Sequence, residues 1–515
     1  MVTVRALPMG ESAFLLEVST LDEVLATHAA LAASRAAGVI DLVPAARTVL
    51  VRVDPRTLSV AAARAWALDA ASTADTAAQQ QGELQQVDIV YNGADLADTA
   101  ALLGVTAERL IDDHLSAEWT VAFTGFAPGF GYLVSADWPH DVARLDAPRT
   151  RVPVGAVGLA GGFSGAYPRE TPGGWRLIGA TDAPLFVPEA ERPALLNPGM
   201  RVRFRRVDAL APTTPVTPAT GGTALDDPTA IRVVEPGLLA TLQDLGRPGA
   251  ASLGVAPSGA LDRRALSTAN RLLGNAETAA AIEVTMGGFR ARAERDLWIA
   301  FAGASGAATL DGHPVDPYRP VQWLRGQQLH LDWFTRGARA YLAVRGGWGG
   351  PTVLGSRASD VLAGLGEPPL RSGDQLSLSQ ADASPIPPVD LSPWEAPHDG
   401  DLDIELAEGP RADWFDERAR ATFFDTVWVV SNNADRVGIR LDGPPLARER
   451  VGELPSEGMM PGAIQVPPSG QPTVLMADGP VTGGYPVIAV VTDAALSLLG
   501  QARPGTRVRF RHAPR

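Results

Sequence analysis

Apolar and polar positions change period several times along the chain. At 13–18 (AFLLEV) and 48–53 (TVLVRV) the apolar side chains run together or alternate, as they do where successive residues of an extended chain face opposite sides. The segments 21–37 and 59–71 space their apolar residues by three and four, which predicts amphipathic helices. A small α+β domain over 1–85 is therefore expected. From Val87 a strand-like VDIVY leads to helical patterns at 95–103 and 107–115, then to a glycine- and proline-punctuated stretch through Val207 that reads as β-rich, giving a unit over 86–207. Residues 208–229 (DALAPTTPVTPATGGTALDDPT) carry hardly any large apolar side chains and are expected to be a linker. A second boundary falls in the proline-rich stretch 383–400, dividing the remainder into 230–390 and 391–515.

The units before and after the linker share an internal repeat. VPVGAVGLAG at 152–161, TPGGWRLI at 171–178 and NPGMRVRF at 197–204 recur in order as MPGAIQVPPSG at 460–470, VTGGYPVI at 481–488 and RPGTRVRF at 503–510. Three matched blocks at similar spacing argue for one β-barrel unit used at least twice. In the closing PGxRVRF block, Pro-Gly makes the turn and alternating Val, Phe and Arg make a half-buried strand with its arginines facing solvent.

Composition narrows the chemistry. At 515 residues the chain is long enough for several domains, and its formal charge of -14 repels nucleic acid and anionic lipid. No run of about 18 apolar residues and no signal-peptide pattern is present, so neither a nucleic-acid nor a membrane partner is expected and the location is expected to be cytoplasmic. Cysteine is absent, which removes disulfides and thiolate chemistry, and all 44 Lys-or-Arg positions are arginine. Without lysine there is no phosphate loop ending in GKS or GKT, no Schiff base and no biotinyl-lysine. The seven histidines show no metal-ligand spacing, so no metal is expected.

Residues 125–133 (GFAPGFGYL) and 147–181 (APRTRVPVGAVGLAGGFSGAYPRETPGGWRLIGAT) resemble the B-type subunit of 5-oxoprolinase. Residues 235–275 (EPGLLATLQDLGRPGAASLGVAPSGALDRRALSTANRLLGN), LGSRASD at 354–360, SNNADRVGIRLDGPPL at 431–446 and 456–489 resemble its C-type subunit, the biotin-dependent carboxyltransferase family also known as allophanate hydrolase subunit 2. The chain thus looks like a B/C fusion. The resemblance implies a mainly β fold with α+β, made of repeated cyclophilin-like β-barrels plus a small amino-terminal α+β domain. It also implies an ATP-dependent 5-oxoprolinase component that opens 5-oxo-L-proline to L-glutamate with a separate A-type subunit, ATP being handled by that partner and no cofactor bound covalently. The alternatives are the carboxyltransferase component of a biotin-dependent urea carboxylase or allophanate hydrolase system, with biotin on a separate carrier, or a non-catalytic regulator of a histidine kinase. A small amide is the expected substrate and a higher-order oligomer the expected assembly. Ala156 and SGAYP at 164–168 depart from the family's usual Ser and TGIYP.

An enzyme acting on a C(=O)–NH unit must stabilise charge on oxygen and orient a proton acceptor, work suited to arginine, carboxylate and backbone amides. In SNNADRVGIRL the candidate catalytic residues are Asn433, Asp435, Arg436 and Arg440, a polar turn after the apolar strand VWVV; a plain Asx turn fits them equally well. Gly173, Gly174 and Trp175, with their counterparts Gly483, Gly484 and Tyr485, allow close backbone approach beside an aromatic face, or else a barrel-closing bulge. Phe126 and Phe130 stand as aromatic plates in a glycine-rich loop that reads as a binding loop or as a packed Ω-like loop. Arg149 and Arg151 are candidate anion binders or surface charges. Gln243, Asp244 and Arg247 precede a tight turn, and Ser258 or Asp262 is expected to cap a helix.

Overall fold

The apolar stretch at 48–53 forms a central strand of a four-stranded antiparallel sheet, in the order Arg5–Pro8, Ala13–Glu17, Thr48–Val53, Val39–Pro44. The computed structural model describes residues 3–75, 82–210, 229–379, 381–388, 397, 400–450, 452 and 454–513. Phe14, Leu16, Val49 and Val51 on one face of this sheet pack against helices Leu21–Ala33 and Val60–Ser72. Leu7, Leu15, Val43 and Leu50 on the other face pack against Met459, Leu475, Val487 and Val490 at the far end of the chain. Burial on both faces is why these strands read as nearly continuous apolar runs. The first helix begins with a capping box between Thr20 and Glu23. It stops short of the expected residue 37, at Ser34, whose backbone leaves helical geometry with φ −108° and ψ 19° and whose hydroxyl donates to the Ala30 carbonyl.

The repeat seen in the sequence is a repeat of topology. Strands Arg176–Ala180, Ala156–Ala160, Phe163–Ala166, Gly131–Val134, Trp119–Thr124, Arg201–Arg206 and Leu84–Ile89 neighbour one another in that order, and reciprocal hydrogen bonds between Val90 and Ala180 join its two ends. Strands Val487–Val491, Ala463–Gln465, Thr473–Leu475, Gly438–Asp442, Val427–Val430, Arg507–His512 and Leu402–Glu408 follow the same order in a closed barrel. In both, the PGxRVRF strand lies parallel to the first strand and antiparallel to the second. The cores correspond as well: Trp119 and Trp428 each donate the indole N–H to the carbonyl five residues earlier, of His114 and Phe423. Those side chains in turn meet Phe204 and Phe510 at ring distances of 4.5 and 4.6 Å.

Between the barrels, residues 231–376 form a six-stranded and a five-stranded sheet packed around one large core, with helix Arg263–Leu272 covering the five-stranded sheet. The glycine-rich stretch 303–312 ends in a hairpin that turns at Asp311 and Gly312, whose φ values of +48° and +81° allow a two-residue loop between Leu310 and His313. The architecture is mainly β, with repeated barrels and a small α+β domain. Residues 211–228 of the expected linker, and 389–396 and 398–399 of the proline-rich stretch, lie outside the described residues. No described helix is long and apolar enough to cross a membrane.

Candidate functional site at the junction of the two parts

The loops 125–130 and 431–437 hold the same place in the two barrels, each joining the second strand to the third. In the first barrel the loop is aromatic. Phe126 takes a left-handed backbone, φ +65°, and is 40 % exposed; its ring lies 5.4 Å from Phe130 and 6.0 Å from Tyr167. Phe130 is buried against Trp175 at 5.3 Å, and Gly173 is needed because a Cβ there would come within 2.6 Å of the Tyr167 hydroxyl. These edge-on contacts suit the ring quadrupoles. The structure therefore brings Phe126, Phe130, Gly173 and Trp175 into one cluster.

This cluster meets the carboxy-terminal part. A Cβ on Gly125 would strike the Thr482 hydroxyl, so the aromatic loop and the VTGGYP loop approach at backbone distance. Thr124 donates its hydroxyl to the Ser252 carbonyl, and the Gly129 amide donates to Leu253 at 2.9 Å. Beyond Tyr167, Arg169 donates to the Leu362 carbonyl at 2.6 Å. The Val361 amide in turn donates to Asp478 Oδ2 at 3.3 Å, four residues before Thr482. A ring of contacts thus runs through three segments, with Phe126, Val361, Leu362 and Tyr485 exposed around it. Gly483 packs on Met459 and Gly484 on the Leu454 carbonyl.

The charged loop has a different setting. Asp435 accepts the amides of Val437 and Gly438 at 2.8 and 3.0 Å, an Asx turn, while Asn433 and Arg440 face outward. Arg436 is 2 % exposed. It donates to both oxygens of Asp478 at 2.9 and 3.1 Å, to Glu283 at 2.6 Å and to the Gly259 carbonyl at 2.7 Å. Burial alone would lower its pKa, but Asp478 and Glu283 raise it well above the ordinary value. Burial likewise pushes Glu283 upward, and Arg436, Arg339 and the Tyr341 hydroxyl more than offset it, leaving the carboxyl below its usual range. Arg436 is placed to bind the two halves of the carboxy-terminal part together, with no donor directed at solvent.

Arg149 and Arg151 are both in ion pairs. Arg151 meets Glu170 at the surface, and Arg149 meets Asp95 at 2.6 Å. The second barrel holds the same pair with the charges exchanged. Gly173 pairs with Arg149 across the small two-stranded sheet as Gly483 pairs with Glu457. The Asp95 amide donates to Leu177 as the Arg411 amide donates to the equivalent Val487, and Arg411 Nε bonds Glu457 at 2.9 Å.

Asp262 caps helix Arg263–Leu272 through the Ala265 amide, as expected. Ser258 instead lies in a left-handed turn, φ +53°, its hydroxyl buried. Sequence reasoning missed Glu283, Asp360 and Asp478, which folding assembles from distant segments; the glycine-bordered LGSRASD and MADGP motifs were the available signal. It also missed Tyr91, His114 and Ser164, joined by hydrogen bonds of 2.8 and 2.9 Å. They have the order of a serine nucleophile relay, but His114 and Ser164 are wholly buried in the barrel core, where no substrate reaches.

Comparison with known proteins fits this layout. The description "Carboxyltransferase domain, subdomain A and B" matches residues 253–512, and "subdomain C and D" matches 4–196. The C-type subunit of 5-oxoprolinase from Escherichia coli K12 is 37 % identical over 285 residues, 54 % of this chain and 90 % of that protein. The B-type subunit of 5-oxoprolinase from Escherichia coli O157:H7 is 43 % identical over 131 residues, 25 % of this chain and 60 % of that protein. The crystal structure of TTHA0988 superposes with a TM-score of 0.83 at 34 % identity, covering 99 % of this chain and 100 % of that one. Kluyveromyces lactis urea carboxylase matches 56 % of this chain and 28 % of its own, with a TM-score of 0.50 at 30 % identity. With both subdomain pairs present and the C and D pair first, the chain belongs to the carboxyltransferase-domain family as a fusion of parts similar to the B-type and C-type subunits of 5-oxoprolinase.

Proposed function

We propose that the chain is the fused B and C component of an ATP-dependent 5-oxoprolinase, which opens 5-oxo-L-proline to L-glutamate with a separate A-type subunit. The observation that carries this reading is the presence of both likenesses on one chain, packed together around the aromatic and VTGGYP loops. ATP is assigned to the partner, because the chain has no lysine with which to build a phosphate loop of the GKS or GKT kind. The role of this chain is then to hold the lactam, with the aromatic cluster offering apolar faces to its ring. Mixing the purified chain with its A-type subunit, ATP and 5-oxoproline is expected to produce glutamate. Glutamate no higher than with the A-type subunit alone overturns the assignment.

The likeness to urea carboxylase over just over half the chain favours a second reading, a carboxyltransferase acting on urea. That reaction needs a separate biotin carrier. Urea-dependent loss of the carboxyl group from a carboxylated carrier, in the presence of this chain, would select it.

A further inference from the structure

Three parts of the chain meet around a cleft of about 2340 Å³. One wall is the small amino-terminal domain, at Arg35 and 52–56. The second is helix Arg263–Leu272, and the third is helix Asp493–Gly500 with the 503–506 turn of the last barrel. No residue of the 125–130 or VTGGYP loops lines it. Pockets for small molecules occupy roughly 300 to 1,000 Å³, so the cleft has room for a polypeptide segment rather than for one small ligand.

Its charge runs against that of the molecule. The chain has 44 basic and 58 acidic side chains, yet seven arginines and five carboxylates line the cleft. The carboxylates are already engaged. Asp54, Glu277 and Asp493 pair with Arg56, Arg271 and Arg263 at 3.2, 3.5 and 3.6 Å. Asp262 caps its helix and accepts from Gln501 at 2.7 Å, and Glu11 accepts the Asp493 amide at 3.4 Å. Three guanidiniums have no carboxylate partner among the described residues: the exposed Arg264, and Arg35 and Arg503, which donate to the carbonyls of Ile40 at 2.6 Å and Thr335 at 3.0 Å. Arg52 keeps a buried Nε without an acceptor. Burial lowers the pKa of Arg263, with Asp493 opposing that shift and the like charge of Arg52 adding to it. Leu245, Leu272, Met460, Leu496 and Leu498 lie among these arginines, and no aromatic side chain of the described residues does.

We propose that the cleft docks an acidic segment, carrying aliphatic side chains, of a separate polypeptide. Resting on the reading above, that polypeptide is the A-type subunit. A single-stranded nucleic acid would draw on aromatic faces for its bases, which this lining lacks, and the charge of -14 repels it. A second copy joined about a two-fold axis through this surface would set arginines against arginines. Because the amino-terminal domain and the carboxy-terminal part each supply walls, the cleft exists only where they are packed together. A chain that fits it therefore recognises the assembled unit and neither part alone.

Calorimetric titration of the full chain with the purified A-type subunit is expected to show binding that weakens as salt is added. Arg264→Glu combined with Arg503→Glu should weaken it at least about tenfold, since like charges then oppose each other across the interface. Arg192→Glu, on an exposed side chain of the first barrel outside the cleft, should leave it unchanged. Competition by poly-L-glutamate for the wild-type chain is an independent reading should the double variant not fold. Absence of binding, affinity unchanged in the folded double variant, an equal loss in Arg192→Glu, or no competition by poly-L-glutamate overturns the docking. So does displacement of the A-type subunit by an oligoribonucleotide but not by poly-L-glutamate. Dissolution by the double variant of an oligomer formed by this chain alone, with binding of the A-type subunit intact, would give the cleft to a second copy and likewise overturn it. Wild-type affinity and glutamate formation in the double variant would remove the docking and leave the proposed function standing. Cleft-dependent binding without glutamate formation would do the reverse.

Discussion

His114 stands in the first barrel where Phe423 stands in the second, and the difference shows what a single buried polar side chain commits its neighbours to. Its two ring nitrogens engage the hydroxyls of Tyr91 and Ser164, and burial pushes its pKa down to about 3. His28 is likewise pushed down, to about 4, mainly by burial. Both groups have an ordinary value of 6.5, so the unfolded chain takes up protons below that pH while the folded chain does not. Their stabilising effect is complete above 6.5 and is lost as pH falls toward the folded values. The unfolding temperature should therefore drop between pH 7 and pH 5, with a shallower drop in His114→Phe. At pH 7 that substitution should cost about 1 to 3 kcal/mol, because the buried Ser164 hydroxyl and the partly buried Tyr91 hydroxyl lose their partner. Adding Tyr91→Phe and Ser164→Ala should recover much of the loss. A His114→Phe protein as stable as wild type, with the same pH slope, would contradict this account.

At the level of elements, the two ion pairs of reversed sign invite a double-mutant cycle. Asp95→Arg or Arg149→Glu alone should destabilise the first barrel, since each brings like charges together. The double substitution copies the Arg411 and Glu457 arrangement and should show a coupling of roughly 1 kcal/mol in thermal or urea unfolding. Strict additivity of the two single effects would mean the positions are not equivalent. The barrels themselves were legible in the sequence, because the pairing strands must alternate and the PGxRVRF turn admits few residues. The equivalence of loops 125–130 and 431–437 was not: loop side chains have no ladder partner to restrict them, and one loop became aromatic while the other became charged. Aromatic positions were legible where they lay in short glycine-bordered motifs: Phe126 and Phe130 come from one and Trp175 from another, and the rings pack together. Site residues were hidden where folding joins distant segments: Arg436 meets Glu283 and Asp478 across separations of 153 and 42 residues.

For the whole molecule, the order of units along the chain differs from their order in space. The first domain packs on the last barrel through Leu7, Leu15, Val43 and Leu50, and Arg411 of that barrel bonds Glu17 of the domain at 2.6 Å. The Gly10 amide donates to Glu408, and that of Ala46 to Ser456. Proteolytic cleavage within 211–228 should consequently leave both pieces together on size-exclusion chromatography at micromolar concentration. Separation of the pieces would show that the covalent connection, rather than the packed surfaces, holds them. Two barrels of one topology on a single polypeptide also face a hazard while folding, since a hairpin of one can dock into the unfinished wall of the other. The reversed ion pairs oppose that error. An exchanged hairpin would set Arg149 beside Arg411, or Glu457 beside Asp95, and the like charges would disfavour it. The polarity of these two contacts thus biases each nascent barrel toward segments of its own.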